Sequence, residues 1–558
     1  MNPATLTLLI DRVVDEADVP GSAEARSEIL DGAARFAERR LMPLATVLDR
    51  KGCRLEDGRV HTAPGHAEAW RAYALAGWTG LTVPEAAGGQ ALSLTTATAV
   101  QMLMDAANPA FGILALNVRC AARLLAIHGD VATRALWLPR LVDGSWSATI
   151  CISEPQAGSD VGRIHTRAAK QIDGSWRVFG EKCWISYGDH DLTDRIGHLV
   201  LARPDGEKVT GGTRALTLFL VSDTLEGGVR NGVAATRLED KLGVRGAPTC
   251  SIVFDGAVAT QVGPLGRGLP TLFAMIAAMR LGVAAQGAAV AGRAAEIAEA
   301  YARERRQGGD PGTPPVPIII HAEVRRLLLA MQTRAEVARL IALQTAAWLD
   351  AADAGDKSAA ARTALLLPLA KSLGAEAAFV NADDAIQVLG GVGLVREGKV
   401  EQLLRDCRAL SIVEGTTAIQ GIDLLFRRVL SADGIASLQD LLDNLEPHPA
   451  LVEAVLDVAS YLAGASRRAR EAAAVPFLKL LGLACADGLL QRAARRAGPI
   501  AGRYAALAAF HGAEAEARAA LLVARCTRAD LDNAFAALFP DYPADIVLDL
   551  AEGSSPQR

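Results

Sequence analysis

The apolar periodicity of this chain switches near residue 146 and switches back near 268. Upstream, "EARSEILDGAARFAERRLMPLATVLDR", "AEAWRAYALAGWTGL" and "LTTATAVQMLMDAANPAFGILALNVRCAARLLAIHG" place apolar residues three or four apart, the spacing of one helix face. Gly88-Gly89 and Gly129 interrupt them. Between the two switches come short β-rich runs: "SATICIS", "SWRVFGEKCWIS", "HLVLARP", "ALTLFLVS" and "CSIVFDG". Strands with no long helix between them predict an antiparallel barrel or sandwich. Beyond Gly268 the long helical patterns return. "PTLFAMIAAMRLGVAAQGAAVAGRAAEIAEAYARERR" is followed by a Pro/Gly break, then "IIIHAEVRRLLLAMQTRAEVARLIALQTAAWLDAA", then a third helix over 358–389. Long helices with short connections read as a bundle.

The fold expected is therefore α+β, mostly α. It has an N-terminal α-helical domain (1–145), a middle antiparallel β-domain (146–266), a four-helix bundle (267–436) and an extra C-terminal helical region (437–558). A chain of 558 residues is too long for one core, which agrees with several domains. The tail "AEGSSPQR" is expected to be mobile.

Composition narrows the function. The net charge of -5 argues against nucleic acid or an anionic membrane as the main partner. Seven C-terminal arginines (467, 468, 470, 492, 495, 496 and 503) are spread through amphipathic helices and read as solvated faces. The cysteines, at 53, 120, 151, 183, 250, 407, 485 and 526, form no C-x-x-C pair, so a reduced, cytoplasmic protein is expected. Neither H-E-x-x-H nor a Cys/His cluster occurs, so no metal is expected. The N-terminus lacks the basic region and cleavage site of a signal peptide, and no apolar run is expected to span a bilayer.

Four stretches could carry chemistry. "CISEPQAGSDVGRI" ends a β-run in a turn whose hydroxyls and N–H groups suit an anionic group or an electron-rich ring. It equally suits a strand-end turn with Asp160 bonding its own backbone. In "GEKCWISYGDHD", Trp184 is either ordinary core or a wall against a flat cofactor. "QVLGGVGLVREGKVEQLLRD" lacks the G-x-G-x-x-G spacing of a dinucleotide turn. Its glycines suit close approach of the backbone to a ligand or a partner chain. In "RDCRALSIVEGTTAIQG", Glu414 follows the apolar Ile412-Val413. Desolvation raises the pKa of such a carboxylate and fits it to accept a proton from a carbon acid. A helix cap made by Glu414 or Thr416 is the alternative, and the stretch taken by itself favours it.

Together, "SEPQAGSD", "EKCWIS", "KLGVRGAPTCSIVFDGA", "YARERRQG" and "QVLGGVG…RDCRALSIVEGTTAIQ" resemble the FAD-dependent acyl-CoA dehydrogenase family over about residues 30–435. The long form resembles a subgroup that includes 3-methylmercaptopropionyl-CoA dehydrogenases. The resemblance implies α,β-dehydrogenation of an acyl-CoA thioester to the trans-2-enoyl-CoA. Glu414 matches the α-proton base, and Arg280 an arginine near the base and thioester. Ile152, Ser153, Gly158, Ser159, Trp184 and Ser186 match FAD-side positions, and Ser159 also lies near the CoA arm. Arg305 matches a pyrophosphate-binding arginine. Gln387 and Gly391 match positions that reach a neighbouring subunit's FAD, and Thr416 contacts the same cofactor. Val413 and Gly415 match substrate-side positions.

The resemblance also implies electron-transfer flavoprotein as acceptor and a homo-oligomer, dimer or tetramer. Val413 stands where an aromatic is common, Ala418 where a Gln is common, and Ala277 where an acidic residue is frequent. Gln307-Gly308 replaces an aromatic. Two other readings stay open: an acyl-CoA oxidase that uses oxygen, and a DNA-binding flavoprotein like the alkylation-response members of the superfamily.

Overall fold

The computed structural model describes residues 1–14, 22–206, 209–528 and 531–541. The first region is helical: α1 (Pro3–Arg12), α2 (Ser22–Phe36), α3 (Met42–Lys51), α4 (His66–Leu75), α5 (Leu94–Ala107), α6 (Pro109–His128) and α7 (Val131–Val142). Asn108 explains the sharp turn between the two most buried of these. It ends α5, and its side chain then accepts from the Phe111 N–H to cap α6, whose first residue is Pro109. A small hairpin, β1 (Arg54–Glu56) with β2 (Arg59–His61), interrupts this otherwise helical region. Sequence periodicity gave no sign of it, because three-residue strands are too short to show alternation.

The middle region holds β3 (Trp146–Cys151), β4 (Arg167–Lys170), β5 (Trp176–Ser186), β6 (Arg195–Pro204), β7 (Thr217–Ser222), β8 (Val233–Leu238) and β9 (Thr249–Val262). Pairings run β6–β4–β5–β9–β7 and back to β6, closing a barrel, with β3 and β8 added at its sides. Most pairings are antiparallel as expected, but β3–β6 and β4–β6 are parallel. The β4–β5 hairpin serves as the crossover that lets β6 run in the direction of β3.

Three long helices follow: α8 (Gly268–Glu304), α9 (Ala322–Asp353) and α10 (Lys357–Leu389). Each is about 50 Å long at 1.5 Å per residue. Their alanine-rich faces pack closely; a Cβ on Gly287 of α8 would meet the Gly374 backbone of α10 at 2.3 Å. Next come α11 (Val400–Cys407) and α12 (Thr417–Ile422), and then α13 (Gly434–Leu445), α14 (Pro449–Gly464), α15 (Arg467–Arg496), α16 (Ala501–Cys526) and α17 (Leu531–Leu538).

The C-terminal helices lie on the bundle. Glu336 of α9 accepts from Arg503 and from the Tyr504 hydroxyl, and buried Arg492 reaches Gln344. Of the seven arginines read as solvated, Arg492 is the one buried inside the protein, where its long side chain satisfies acceptors between helices, while Arg503 stays exposed as it reaches Glu336. The expectation of no membrane-length apolar run is also corrected. Pro109–His128, Gly268–Glu304, Lys357–Leu394 and Arg467–Arg496 are long and apolar enough, and 67% to 83% of each apolar window is buried inside the fold.

Candidate active site

The loop from Ser411 to Thr416 leads from α11 into α12. Its two central residues both have left-handed backbone, Glu414 at φ 55° and Gly415 at φ 92°. Glycine tolerates this and glutamate does not, so Glu414 carries strain of the kind that collects at functional sites. Two buried side chains hold the turn. Lys371 of α10 donates from Nζ to the Gly415 carbonyl at 2.6 Å, and Gln420 donates from Nε2 to the Glu414 carbonyl at 2.8 Å.

The cap competition resolves in favour of Thr416, whose Oγ1 accepts from the Ile419 N–H. The Glu414 carboxylate is left with no hydrogen bond among the described residues. Burial pushes its pKa up, while Arg280 and Lys371 pull it down. Burial lowers the Lys371 ammonium to about 8, against the opposing pull of Glu414. Arg280 projects from α8, and its Nη1 lies 3.4 Å from the Asp423 carboxylate. Asp423 begins a π-helical stretch directly after α12. The Nε of Arg280 is buried without a partner, an unspent donor beside Glu414.

A second cluster forms where β3 and β5 end. The Cys183 N–H donates to the Ser153 carbonyl at 2.9 Å. Lys182 reaches the Ile152 carbonyl at 2.9 Å and forms a fully buried pair with Glu154. The register breaks between Lys182 and Ile185, and within that break Trp184 has φ 63° and is 63% exposed. The core reading of Trp184 is therefore wrong, because the bulge turns the indole outward. Half-buried Ser153 and Ser186 flank it. Gly158 and Ser159 are exposed on the loop beyond β3, and a Cβ on Gly158 would meet nothing within 4 Å. Asp160 on that loop binds the Arg163 side chain at 2.6 Å.

Helix α6 joins the two clusters. Asn117 donates to the Ser186 carbonyl at 3.2 Å, and one turn further on Cys120 feels the Glu414 charge, which adds to the burial that pushes its thiol to about 12. The end of β5 at Ser186 and the charge of Glu414 thus act on successive turns of α6.

Arg305, Gln387 and Gly391 stand apart. Arg305 is 25 residues beyond Arg280 on α8, about 37 Å at 1.5 Å per residue. Gln387 is 16 residues beyond Lys371 on α10, about 24 Å. All three are exposed, and a Cβ on Gly391 would meet nothing within 4 Å.

These residues fit a flavin dinucleotide in a specific way. An outward, strained indole flanked by hydroxyls offers a face for a flat ring, and Arg280, close enough to lower the Glu414 pKa, carries an orphaned guanidinium nitrogen. Sequence reasoning missed Lys371, Gln420, Asp423, Asn117 and Cys120. Lys371 did carry a signal, as a single cation inside the apolar run "LLLPLAKSLG".

Residues 23–145, 149–257 and 266–430 match the N-terminal, middle and C-terminal domains of acyl-CoA dehydrogenase. The 3-methylmercaptopropionyl-CoA dehydrogenase of Ruegeria pomeroyi is 37% identical over 81% of this chain and 82% of its own length. The broad-specificity linear acyl-CoA dehydrogenase FadE5 of Mycobacterium tuberculosis is 35% identical over 65% of this chain and 62% of its own. In fold, the chain resembles an acyl-CoA dehydrogenase from Bacillus anthracis in complex with FAD, with a TM-score of 0.77 over 96% of this chain and 94% of that one at 19% identity. The chain belongs to the acyl-CoA dehydrogenase family and is an oxidoreductase with FAD as its cofactor.

Proposed function

We propose that this enzyme removes two hydrogens from the α- and β-carbons of an acyl-CoA thioester, giving the trans-2-enoyl-CoA, with Glu414 as the α-proton base. One observation carries the reading: the Glu414 carboxylate has no hydrogen-bond partner among the described residues, sits on a strained turn, and has a raised pKa. A raised pKa brings a carboxylate closer to a weak carbon acid. The proton of the α-carbon goes to Glu414, and the β-hydrogen leaves with its electron pair. When bound, FAD supplies the acceptor for that hydride.

The Glu414 N–H polarises the thioester carbonyl and acidifies the α-carbon. Arg280 holds the base and limits how far its pKa climbs. Val413, Gly415 and Ser159 face the acyl-CoA. Ile152, Ser153, Gly158, Trp184 and Ser186 hold the FAD ring side.

Arg305, Gln387 and Gly391 lie too far along their helices to serve the same ring, so we assign them, with Thr416, to FAD shared across a homo-oligomer interface. Electron-transfer flavoprotein is the proposed electron acceptor. The four segments 1–145, 146–266, 267–436 and 437–558 are taken as domains. The eight cysteines are all free, which suits a reducing, cytoplasmic setting.

Glu414→Gln tests the reading. It should keep FAD and lose about 10²–10⁴-fold in turnover, the scale of a removed general base. Normal turnover of an acyl-CoA by this variant would end the assignment.

A further inference from the structure

A narrow cavity lies between α5, α6 and α8. Each helix contributes one face, at the three- and four-residue spacing of neighbouring turns. From α6 come Leu116, Arg119, Cys120 and Arg123, and from α5 come Thr98 and Gln101 among others. The cavity's α8 lining, Ala278, Leu281 and Gly282, flanks Arg280, whose Nη1 lies 3.4 Å from Asp423 just beyond α12. The cavity measures about 30 Å³. That is room for about two waters.

The lining is unusual for a pocket meant to hold a hydrocarbon tail. Two guanidinium groups face it, and no acidic side chain lines it among the described residues. Arg119 is 8% exposed and is aimed by a relay: its Nη2 donates to Gln101 Oε1 at 2.8 Å. The Gln101 amide in turn donates to Asp105 and to the Gly282 carbonyl, both at 3.0 Å. Asp105 thus reaches Arg119 only through Gln101, and burial pushes its carboxyl up to about 7. Arg123 is held by Asp353 at 2.5 Å, with its Nε buried and unpartnered. Arg119 is a buried cation bonded to no carboxylate; such a group is costly, and a ligand anion would offset that cost.

Resting on the dehydrogenase reading above, we infer that this cavity is the acyl-end subsite and takes a short acyl group ending in a carboxylate, bound by Arg119 and Arg123. The two carboxylate oxygens occupy this space and receive the guanidinium hydrogens. A terminal methyl in the same place gives the guanidinium groups no hydrogen-bond acceptor. Gln101 and Asp105 act as positioning residues for Arg119.

The test compares glutaryl-CoA, pentanoyl-CoA and 3-methylmercaptopropionyl-CoA on the FAD-loaded enzyme. The first two share a five-carbon acyl chain and differ only at its end. Anaerobic flavin bleaching gives kcat/KM, and calorimetric binding to Glu414→Gln gives affinity without turnover. Glutaryl-CoA should lead both others by at least about tenfold in each readout, since a site built for a polar group rejects analogues lacking it. Arg119→Met should erase or invert that preference while FAD content stays unchanged, and Arg119→Lys should restore part of it. If Arg119→Met fails to fold, the surface-linked Arg123→Gln should reduce the same ratio. Equal or better performance by either uncharged thioester overturns the subsite alone. No bleaching by any of the three, with no binding to Glu414→Gln, overturns the dehydrogenase reading and the subsite with it.

Discussion

Lys371 and Gly415 are joined by a 2.6 Å hydrogen bond from a fully buried ammonium to a loop carbonyl, which fixes the turn that presents Glu414. The same ammonium draws down the carboxyl pKa of Glu414, while Glu414 holds up the otherwise depressed pKa of Lys371. Geometry and electrostatics of the base therefore depend on one side chain from α10.

Lys371→Met keeps the stem and removes the charge and the donor. Loss of the cation raises the Glu414 pKa, so the acid limb of the pH–rate profile should move to higher pH. Loss of the clamp should lower kcat at least about tenfold, the cost of roughly one buried hydrogen bond. A profile whose acid limb stays in place would show that Lys371 only packs.

Trp184 is strained at φ 63° and largely exposed, so its fold value is small and its site value large. Trp184→Gly relieves the left-handed strain, worth about 1–3 kcal/mol. The FAD-free variant should melt no lower than the parent. The FAD-loaded variant should show an altered flavin absorption spectrum and weaker FAD retention. An unchanged spectrum would remove Trp184 from the flavin wall.

Burial holds His66 and His198 down to about 4 and His190 to about 3. Below pH 6.5 the unfolded chain takes up protons that these folded imidazoles refuse. Stability gained from them is complete above the unfolded value and falls as pH drops toward the folded values. Acidification from pH 7 to 5 should cost about 2 kcal/mol for each of the three, read as a falling melting temperature. His198→Leu, at a site facing Phe254, should flatten that dependence. A melting temperature flat across this range would contradict the account.

The layout was legible because periodicity is a property of long segments. The switch near 146 and the return at 268 mark where β3 and α8 begin. What escaped were features set by side chains far apart in sequence. Thr416, not Glu414, caps α12, a choice decided by two successive left-handed residues that no pattern of residue types displays. For Trp184 the residue pattern allowed both core and an outward wall, since aromatic residues in strands are usually core, and only the register break shows that it turns outward. Lys371 and Asn117 matter through contacts with Gly415 and Ser186, 44 and 69 positions away. The parallel β3–β6 pairing likewise depends on topology and not on local pattern.

The central claim is that Glu414 carries the α-proton. Its most direct test is exchange of the α-hydrogen of a bound acyl-CoA with deuterated water, followed by mass spectrometry on the FAD-loaded protein without an electron acceptor. The parent enzyme should exchange deuterium into the α-position, and Glu414→Gln should do so at least about 10²-fold more slowly while still holding FAD. Equal exchange rates in the two proteins would contradict the account.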